Sequence, residues 1–421
     1  MPLPDVITPN AVPAPRRRAG KVLAPLSHRG FRLYFLARLL SWTGTGVAPV
    51  ALAWAVLRQG GGPTGLGLVL AAGTAPQLLL LPVGGVSADR WPRTRVLAVT
   101  NGACACVQAL ACVLLWSRAG GIWWLAVLSA LCGGAAAFSV PAGAGVLPEL
   151  VPDGLRGQAN ALLKLVQTTV KVGGPAFGAV LVGLSSPACV IGWDAVSFAG
   201  AALLVSRLAP SCRTGDRSAD GFLRQLSCGW RDFRSRRWLW VLVLQSAVVV
   251  PLWLIGYQVL GPVYAQRELG GVAGWGLVAA GFAGGLVAGS ALGLWWQPVR
   301  VGPVSCAGTA AMALPPALMA AGAPAGALAV AAAVTGAAGA LSTLLWTTLV
   351  QARIPADRLS RALSYAALGQ LVAVPVGYLL AGPAAELLGL RATLGGASLL
   401  IGVAALLPLV LPDVRGLRVH D

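Results

Sequence analysis

A handful of ionisable side chains inside long apolar runs could do chemistry in this chain. Lys164 and Lys171 lie in one run; Arg38, Asp194 and Glu386 lie in three others. A charged group is expensive at membrane depth, so each is by default a candidate for binding or proton transfer. Lys164 and Lys171 are two helical turns apart and share a face with Gln167 and Thr168. Two readings fit that face. The ammonium groups snorkel and pair with neighbours, or they line an electropositive cavity favouring anionic or acidic solutes. Asp194, in GWDAVSF, either pairs with a basic group, takes up and releases a proton as the cavity opens and closes, or is a structural hydrogen-bonded acid. Enzyme chemistry has no comparable support. His28 and His420 lie in the tails, and there is no G-x-S-x-G, no nucleotide-binding glycine loop with its Lys, and no metal-ligand cluster. We expect no enzyme, no cofactor and no metal. Energy would then come from an ion gradient or from the solute gradient.

The elements that must position these groups are membrane helices. Of 421 residues, 57% are hydrophobic and 10% charged. That is more apolar surface than a soluble domain needs. Runs of about 20 apolar residues, the length that spans a bilayer, occur twelve times. They fall at 31–57, 65–87, 96–116, 122–147, 160–184, 187–208, 238–262, 272–296, 302–321, 325–350, 361–388 and 391–411. Outside the spans, all the basic residues except Arg58, Arg118, Arg267 and Arg391 fall in the tails or in loops on the N-terminal side. Positive residues stay inside, so both termini are expected in the cytoplasm of a multi-pass protein of the inner (plasma) membrane. The net charge of +18 is thus read as topology and attraction to anionic inner-leaflet lipids, not as nucleic-acid binding. The eight Cys fall mostly inside spans and read as small buried residues.

The expected organisation is a cytosolic tail (1–30), a six-helix bundle (31–208), a linker (209–237), a second six-helix bundle (238–411) and a short cytosolic tail (412–421). Internal echoes support the two halves. WPRTRV at Trp91 recurs as WQPVRV at Trp296, and Val151-Pro152 recurs as Ile354-Pro355, both near a 205-residue offset. In the linker, Phe222, Leu223, Leu226, Trp230 and Phe233 recur at helical spacing among arginines. That is either an amphipathic helix lying on an anionic leaflet or a plain linker whose charges set topology.

Between the second and third spans stands GGVSADRWPRTRVL. Its spacing, Gly85, Asp89, Arg90, Arg93 and Leu97, resembles the signature loop of the major facilitator superfamily, with Gly85 expected to allow close backbone approach. Ser87, Pro92 and Thr94 depart from that pattern, standing where Leu, Gly and a second basic residue are common. In the fifth span, Gly174, Pro175 and Gly178 resemble the element marking antiporter-type exporters of the superfamily. Helix 8 carries its own strip at Gly281, Gly285 and Gly289, so helices 5 and 8 are expected to approach closely across the halves. FRLYFLARLLSWTGTGVAPVALAW, PELVPDGLRGQANAL, WDAVSF and QARIPADRLSRALS are similar to segments of the efflux branch that contains macrolide and siderophore exporters.

The resemblance implies the major facilitator fold: an all-α membrane protein with twelve transmembrane helices in two pseudo-symmetric six-helix bundles. They would rock about a central cavity. It implies a proton-coupled antiporter that exports a small hydrophobic or acidic metabolite, drug or siderophore, as a monomer. Asp89, helped by Arg90 and Arg93, would close the cytosolic side against the start of helix 11 near Ser360 and Arg361. Many such exporters carry an Arg within helix 4, whereas 122–147 has no charge, so any proton relay here is built differently. Trp42, Trp193 and Trp346 are candidates to line the cavity. The alternatives are a nutrient importer of the same fold, or a membrane sensor or assembly factor without flux.

Overall fold

In lipid every backbone N–H and C=O must be satisfied within the chain, so each long apolar run becomes a helix. The computed structural model describes residues 23–209, 237–296, 298–353 and 373–417; for Val86, Ala88, Asp89, Leu294 and Gln351 it describes the backbone alone. Among these residues there is no strand. Eleven helices are long and apolar enough to cross a membrane, and a shorter apolar helix, Ala373–Leu388, falls where the remaining span is expected.

The first half contains α1 (Arg29–Arg58), α2 (Gly62–Arg90), α3 (Arg93–Trp116), α4 (Ile122–Leu150), α5 (Arg156–Leu184) and α6 (Pro187–Ser206). The second contains α7 (Arg237–Glu268), α8 (Val272–Trp295), α9 (Val301–Ala320), α10 (Ala325–Arg353), α11 (Ala373–Leu388) and α12 (Leu390–Leu406). Two helices are irregular. α7 widens into a π-helical segment at Leu254–Val259. α9 tightens to a 3-10 turn at Ala311–Ala313, just before Pro315 and Pro316, whose missing N–H groups interrupt the regular ladder. The expected linker, the start of the eleventh span and both chain ends lie outside the described residues, with the latch positions Ser360 and Arg361 among them.

Two-fold repetition is visible in the packing. α2 lies along α4 as α8 lies along α10; α1 and α3 pack on α6 as α7 and α9 pack on α12. The turns repeat as well. Arg118 after α3 takes a left-handed φ of 54°, and Gly322 at the corresponding turn after α9 takes 76°. Gly pays no steric cost in that region; Arg does, and it is the one non-Gly residue with positive φ among those described.

The apolar core shows how the halves meet. The end of the bundle where α1 begins is called the basic end below. At the opposite end, one large buried cluster is shared by both halves. It joins Trp54, Leu57, Leu66 and Val182 to Val259, Tyr264, Trp275 and Tyr378. Among the described residues, the core divides toward the basic end. Tyr34, Leu97, Ala142 and Val205 cluster within the first half, and Leu242, Val301, Leu345 and Val414 within the second. Continuous core at one end and separate cores at the other is the shape of a bundle closed at one end and parted at the other.

Glycine governs the tight contacts, though not always where spacing alone places it. A methyl group on Gly84 would sit 2.2 Å from the Ala137 carbonyl oxygen, so Gly84 makes the α2–α4 approach. Gly85, expected in that role, has nothing within 4 Å of the equivalent point. Gly174 lies 2.6 Å from the Gly46 carbonyl oxygen and Gly178 lies 3.0 Å from that of Val47, measured the same way, so both serve α1 within their own half. Gly281, Gly285 and Gly289 likewise meet Ala329, Ala333 and Ala337 of α10. The expected use of these two strips across the halves is therefore corrected. The α5–α8 approach uses Gly276 against Ala179 and Gly183 against Val272.

Candidate functional site

The polar face of α5 is exposed as the seven-residue spacing requires. Asn160, Lys164, Gln167, Thr168 and Lys171 all lie on the surface of the helix, while Gly174 and Gly178 continue that side into the contact with α1. Among the described residues, neither Lys164 nor Lys171 has an ion-pair partner. α1 presents a parallel face through Arg38, Trp42, Thr45 and Pro49, at i, i+4, i+7 and i+11; Thr45 and Pro49 are exposed, Arg38 and Trp42 half-buried. Both helices start at the basic end. Gly46 faces Val170 and Gly174. Stepping back eight residues along each helix brings Arg38 level with Lys164, about 12 Å nearer the basic end. Lys171 is about 10 Å deeper than Lys164.

Arg38 is held in place. Its Nε donates to the Tyr34 hydroxyl at 3.0 Å, and that hydroxyl donates to the Gly143 carbonyl of α4 at 2.9 Å. The guanidinium lies over the Tyr34 ring, 5.4 Å from its centroid, and over the Trp42 ring at 5.7 Å. Both distances are within the range of cation–π attraction. The guanidinium also fills the space above Gly143, where any side chain would collide with Nη2. Helices α7 to α10 of the second half offer no matching charge among the described residues. Between Arg237 at the start of α7 and Arg353 at the end of α10, the helices carry no charged residue except Arg267 and Glu268 at the opposite end. Among the described residues, the cations set within the helices below that end are therefore those of α1 and α5, while the arginines of the loops ring its rim.

Asp194 is 1% exposed, sealed inside the first half. Gln108 Nε2 of α3 donates to its Oδ2, and Ser197 Oγ donates to its backbone carbonyl at 2.8 Å. Oδ1 has no hydrogen-bond partner. Gly44 of α1 lies directly above: a methyl group there would fall 2.2 Å from both Oδ1 and Ser197 Oγ. Of the readings above, pairing with a basic group is not found; an amide hydrogen bond takes that place, and the carboxylate does not line the parted end.

Glu386 sits at the closed end. It accepts a hydrogen bond from Thr64 Oγ1, joining α11 to the first turn of α2 across the halves. The same helices touch at Gly67, where a methyl group would lie 2.2 Å from the Tyr378 carbonyl oxygen. At the basic end, α2 continues through Arg90, so Gly85, Asp89 and Arg90 belong to its last turns, and the connection to α3 is Trp91 and Pro92. Arg90 is exposed. Arg93 donates through Nη1 to the Gly145 carbonyl at 2.9 Å and pairs with Glu149 at 3.0 Å. α4 runs on to Leu150 and so carries this acid, a charge that the expected span 122–147 omits. Trp346 packs edge-on against Trp238, with ring centroids 6.3 Å apart, and Trp193 is 48% exposed.

Sequence reasoning missed four partners: Tyr34, Gln108, Glu149 and Thr64. Gln108 carried a signal, since an amide amid the apolar residues of α3 needs a polar neighbour in the bundle. Tyr34 stands one helical turn before Arg38 and could have been paired with it. Glu149 and Thr64 lie near helix ends, where polar residues are ordinary.

The profile of the Major Facilitator Superfamily matches residues 34–320. An uncharacterized MFS-type transporter of Sinorhizobium fredii, y4rN, is 31% identical over 192 residues, 44% of this chain and 42% of that protein. The Bacillus subtilis MFS-type transporter YfiS, also uncharacterized, is 28% identical over 120 residues, 28% of each chain. The chain thus matches less than half the length of these curated relatives. Among solved structures, the nucleoside transporter NupG superposes with a TM-score of 0.71 at 12% identity, covering 90% of this chain and 98% of that one. A bacterial homologue of the human lysosomal transporter Spinster, inward-facing and occupied, gives 0.69 at 15% identity over 90% and 95%. A bacterial homologue of the iron transporter ferroportin gives 0.64 at 18% over 93% and 99%. At such identities the likeness speaks for the fold. With eleven spanning helices and one shorter apolar helix among the described residues, and a profile match over most of its length, this chain belongs to the Major Facilitator Superfamily and is a multi-pass membrane protein.

Proposed function

We propose that this protein is a proton-coupled exporter of a small hydrophobic or acidic solute, working by alternating access from the inner membrane with both termini in the cytoplasm. The observation that carries the reading is the division of the apolar core, continuous at one end and split at the other, with the cations of α1 and α5 at the split end. By the distribution of Arg the split end is cytosolic, so this conformation would admit solute from inside.

Each remaining candidate has a place in that cycle. Asp194, buried with one unsatisfied oxygen, is the proton carrier. Asp89, Arg90 and Arg93 close the cytosolic side in the opposite conformation against the start of helix 11. An anion facing a helix N-terminus contributes about 1 kcal/mol, enough to bias two near-equal states. The linker rests on anionic lipid, and the protein acts as a monomer. Gly174, Pro175 and Gly178 support export by their likeness to the antiporter element.

The test is flux in reconstituted vesicles, with and without an imposed pH gradient, using a lipophilic dye and carboxyfluorescein as probes. Counter-flow of either probe against protons, lost in Asp194→Asn, is the expected result. Flux of both probes that ignores the pH gradient refutes proton coupling; no flux of either refutes the exporter reading.

A further inference from the structure

We infer that Arg38 is the anchor for an oxoanion group of the transported solute, a carboxylate or a phosphate monoester, with the Trp42 ring beside it for an apolar or aromatic body. The inference rests on the transporter reading above and names the solute class that reading leaves open.

Three observations carry it. The first is orientation. Of the guanidinium's donors, the Nε–H is taken by Tyr34, and Tyr34 is in turn tied to the Gly143 carbonyl. A long side chain that would otherwise sample many rotamers is fixed at its inner nitrogen, so little freedom is lost when a ligand binds. The second is vacancy of the fork. Among the described residues, no acid pairs with Arg38 and no acceptor takes the Nη groups, although the side chain is half-buried. A guanidinium held at Nε and open at its outer edge is the arrangement that binds a planar oxoanion through two parallel N–H···O bonds. The third is surroundings. Gly143 is required beneath Nη2, and the Tyr34 and Trp42 rings flank the group at 5.4 Å and 5.7 Å.

Depth adds a role for the neighbours. Arg38 is level with Lys164, and Lys171 lies further from the basic end on the adjacent helix. An anion entering at the parted end therefore meets two cations at one level and a third beyond them. The ammonium groups act as point charges that raise the local concentration of anions; the fork supplies shape discrimination. Charge alone would not distinguish Arg38 from Lys at this position, whereas the fork does.

The experiment measures binding to the full-length protein in nanodiscs by quenching of intrinsic Trp fluorescence. The probes are 4-methylbenzoate, phenyl phosphate and the neutral 4-methylbenzamide. Wild type should bind at least one of the two anions saturably and the amide at least about tenfold more weakly, and R38K should weaken anion binding at least about tenfold although its charge is kept. Tyr34→Phe, which releases the fork without touching it, should weaken the same anion by a smaller factor. It decides the matter should R38K fail to fold, as judged by gel filtration and unfolding midpoint. Preference for the benzoate or for the phosphate assigns the headgroup. Equal binding of the anion by wild type, R38K and Y34F overturns the inference, and so does the absence of anion binding by wild type. The dye-flux assay keeps the two readings separate. Dye transport without anion binding removes the anchor and leaves the exporter; anion binding without flux of any probe does the reverse.

Discussion

Replacing Gly382 by Ala should open the closed end. Gly382 of α11 packs on Thr64 of α2, and a methyl group built there falls 2.2 Å from Thr64 Oγ1 and 2.3 Å from Thr64 Cα. The hydroxyl can rotate away; the Cα cannot. Carbon atoms rest at about 3.5 Å or more, so the two helices must separate by about 1.2 Å to admit the methyl group. Overpacking of this kind costs about 1–3 kcal/mol, which moves a two-state equilibrium by about 5- to 150-fold. On the alternating-access reading proposed above, the penalty falls on one conformer only, because α2 and α11 belong to different halves and would part when that end opens. A perturbation with different energies in two states shifts their populations.

The assay is pulsed electron–electron double resonance between spin labels at positions 58 and 267, at the ends of α1 and α7, on a background lacking the eight native Cys. Wild type should give a short distance, and Gly382→Ala should add or favour a longer one. Gly289→Ala is the contrasting variant. Its methyl group would meet the Ala337 carbonyl oxygen at 2.1 Å, but both residues lie in the second half and stay together throughout the cycle. It should lower the unfolding temperature and leave the distance distribution unchanged. A Gly382→Ala protein with the wild-type distribution, or a Gly289→Ala protein with a shifted one, would show that the halves do not move as rigid bodies about this seam.

Other expected outcomes test the site residues singly. Asp194→Asn keeps the Gln108 contact and adds no volume, so it should fold with a stability within about 1 kcal/mol of wild type while losing pH-driven flux; retained coupling would move the proton elsewhere. Glu149→Gln removes the charge facing Arg93 in a pair whose side chains are 25% and 19% exposed, Arg93 first. It should cost about 1 kcal/mol in a chemical unfolding titration, and a cost near zero would mean that Arg93 is held mainly by its other contacts. Lys171→Ala should reduce the preference for carboxyfluorescein over a matched cationic dye; an unchanged ratio would mean that Lys171 does not face the solute.

How far the sequence could be read depended on what its patterns encode. Spans were legible because crossing hydrocarbon needs about 20 apolar residues whatever the neighbours are. Helix starts at Ile122, Pro187, Val272 and Ala325 fall at the expected positions. Helix ends were underestimated where a charged residue continues the helix past the apolar run, as at Arg90, Glu149 and Glu268. The direction in which a glycine strip faces was not legible. Spacing places Gly174 and Gly178 on one side of α5, but α1 and α8 both have small residues to offer, and only packing chooses between them. The same limit explains Gly84 and Gly85, adjacent residues on different sides of α2. The polar face of α5 was readable because seven residues make two turns. The fork at Arg38 was not, since it depends on a carbonyl more than a hundred positions away.

The seam between the halves and the contacts within each half use the same small residue for opposite ends. Inside a half, Gly281, Gly285 and Gly289 form a continuous line against α10, each meeting a backbone carbonyl, and α2 is locked to α4 by Gly84 and Gly133 in the same way. Many close backbone contacts along one line give dispersion energy that is lost only if the whole helix moves, so each half behaves as a solid. Among the described residues, the glycine approaches across the seam lie at one end. Gly67 and Gly382 join α2 to α11, Gly276 and Gly183 join α5 to α8, and the only described polar link is the exposed Thr64–Glu386 bond. A neutral or singly charged hydrogen bond in contact with water contributes about 1 kcal/mol, and the apolar cluster behind it is the main cost of opening. A transporter needs a joint that closes tightly enough to exclude solute and opens within the reach of a single binding event. Confining the glycine contacts to one end of two helix pairs supplies the tight closure.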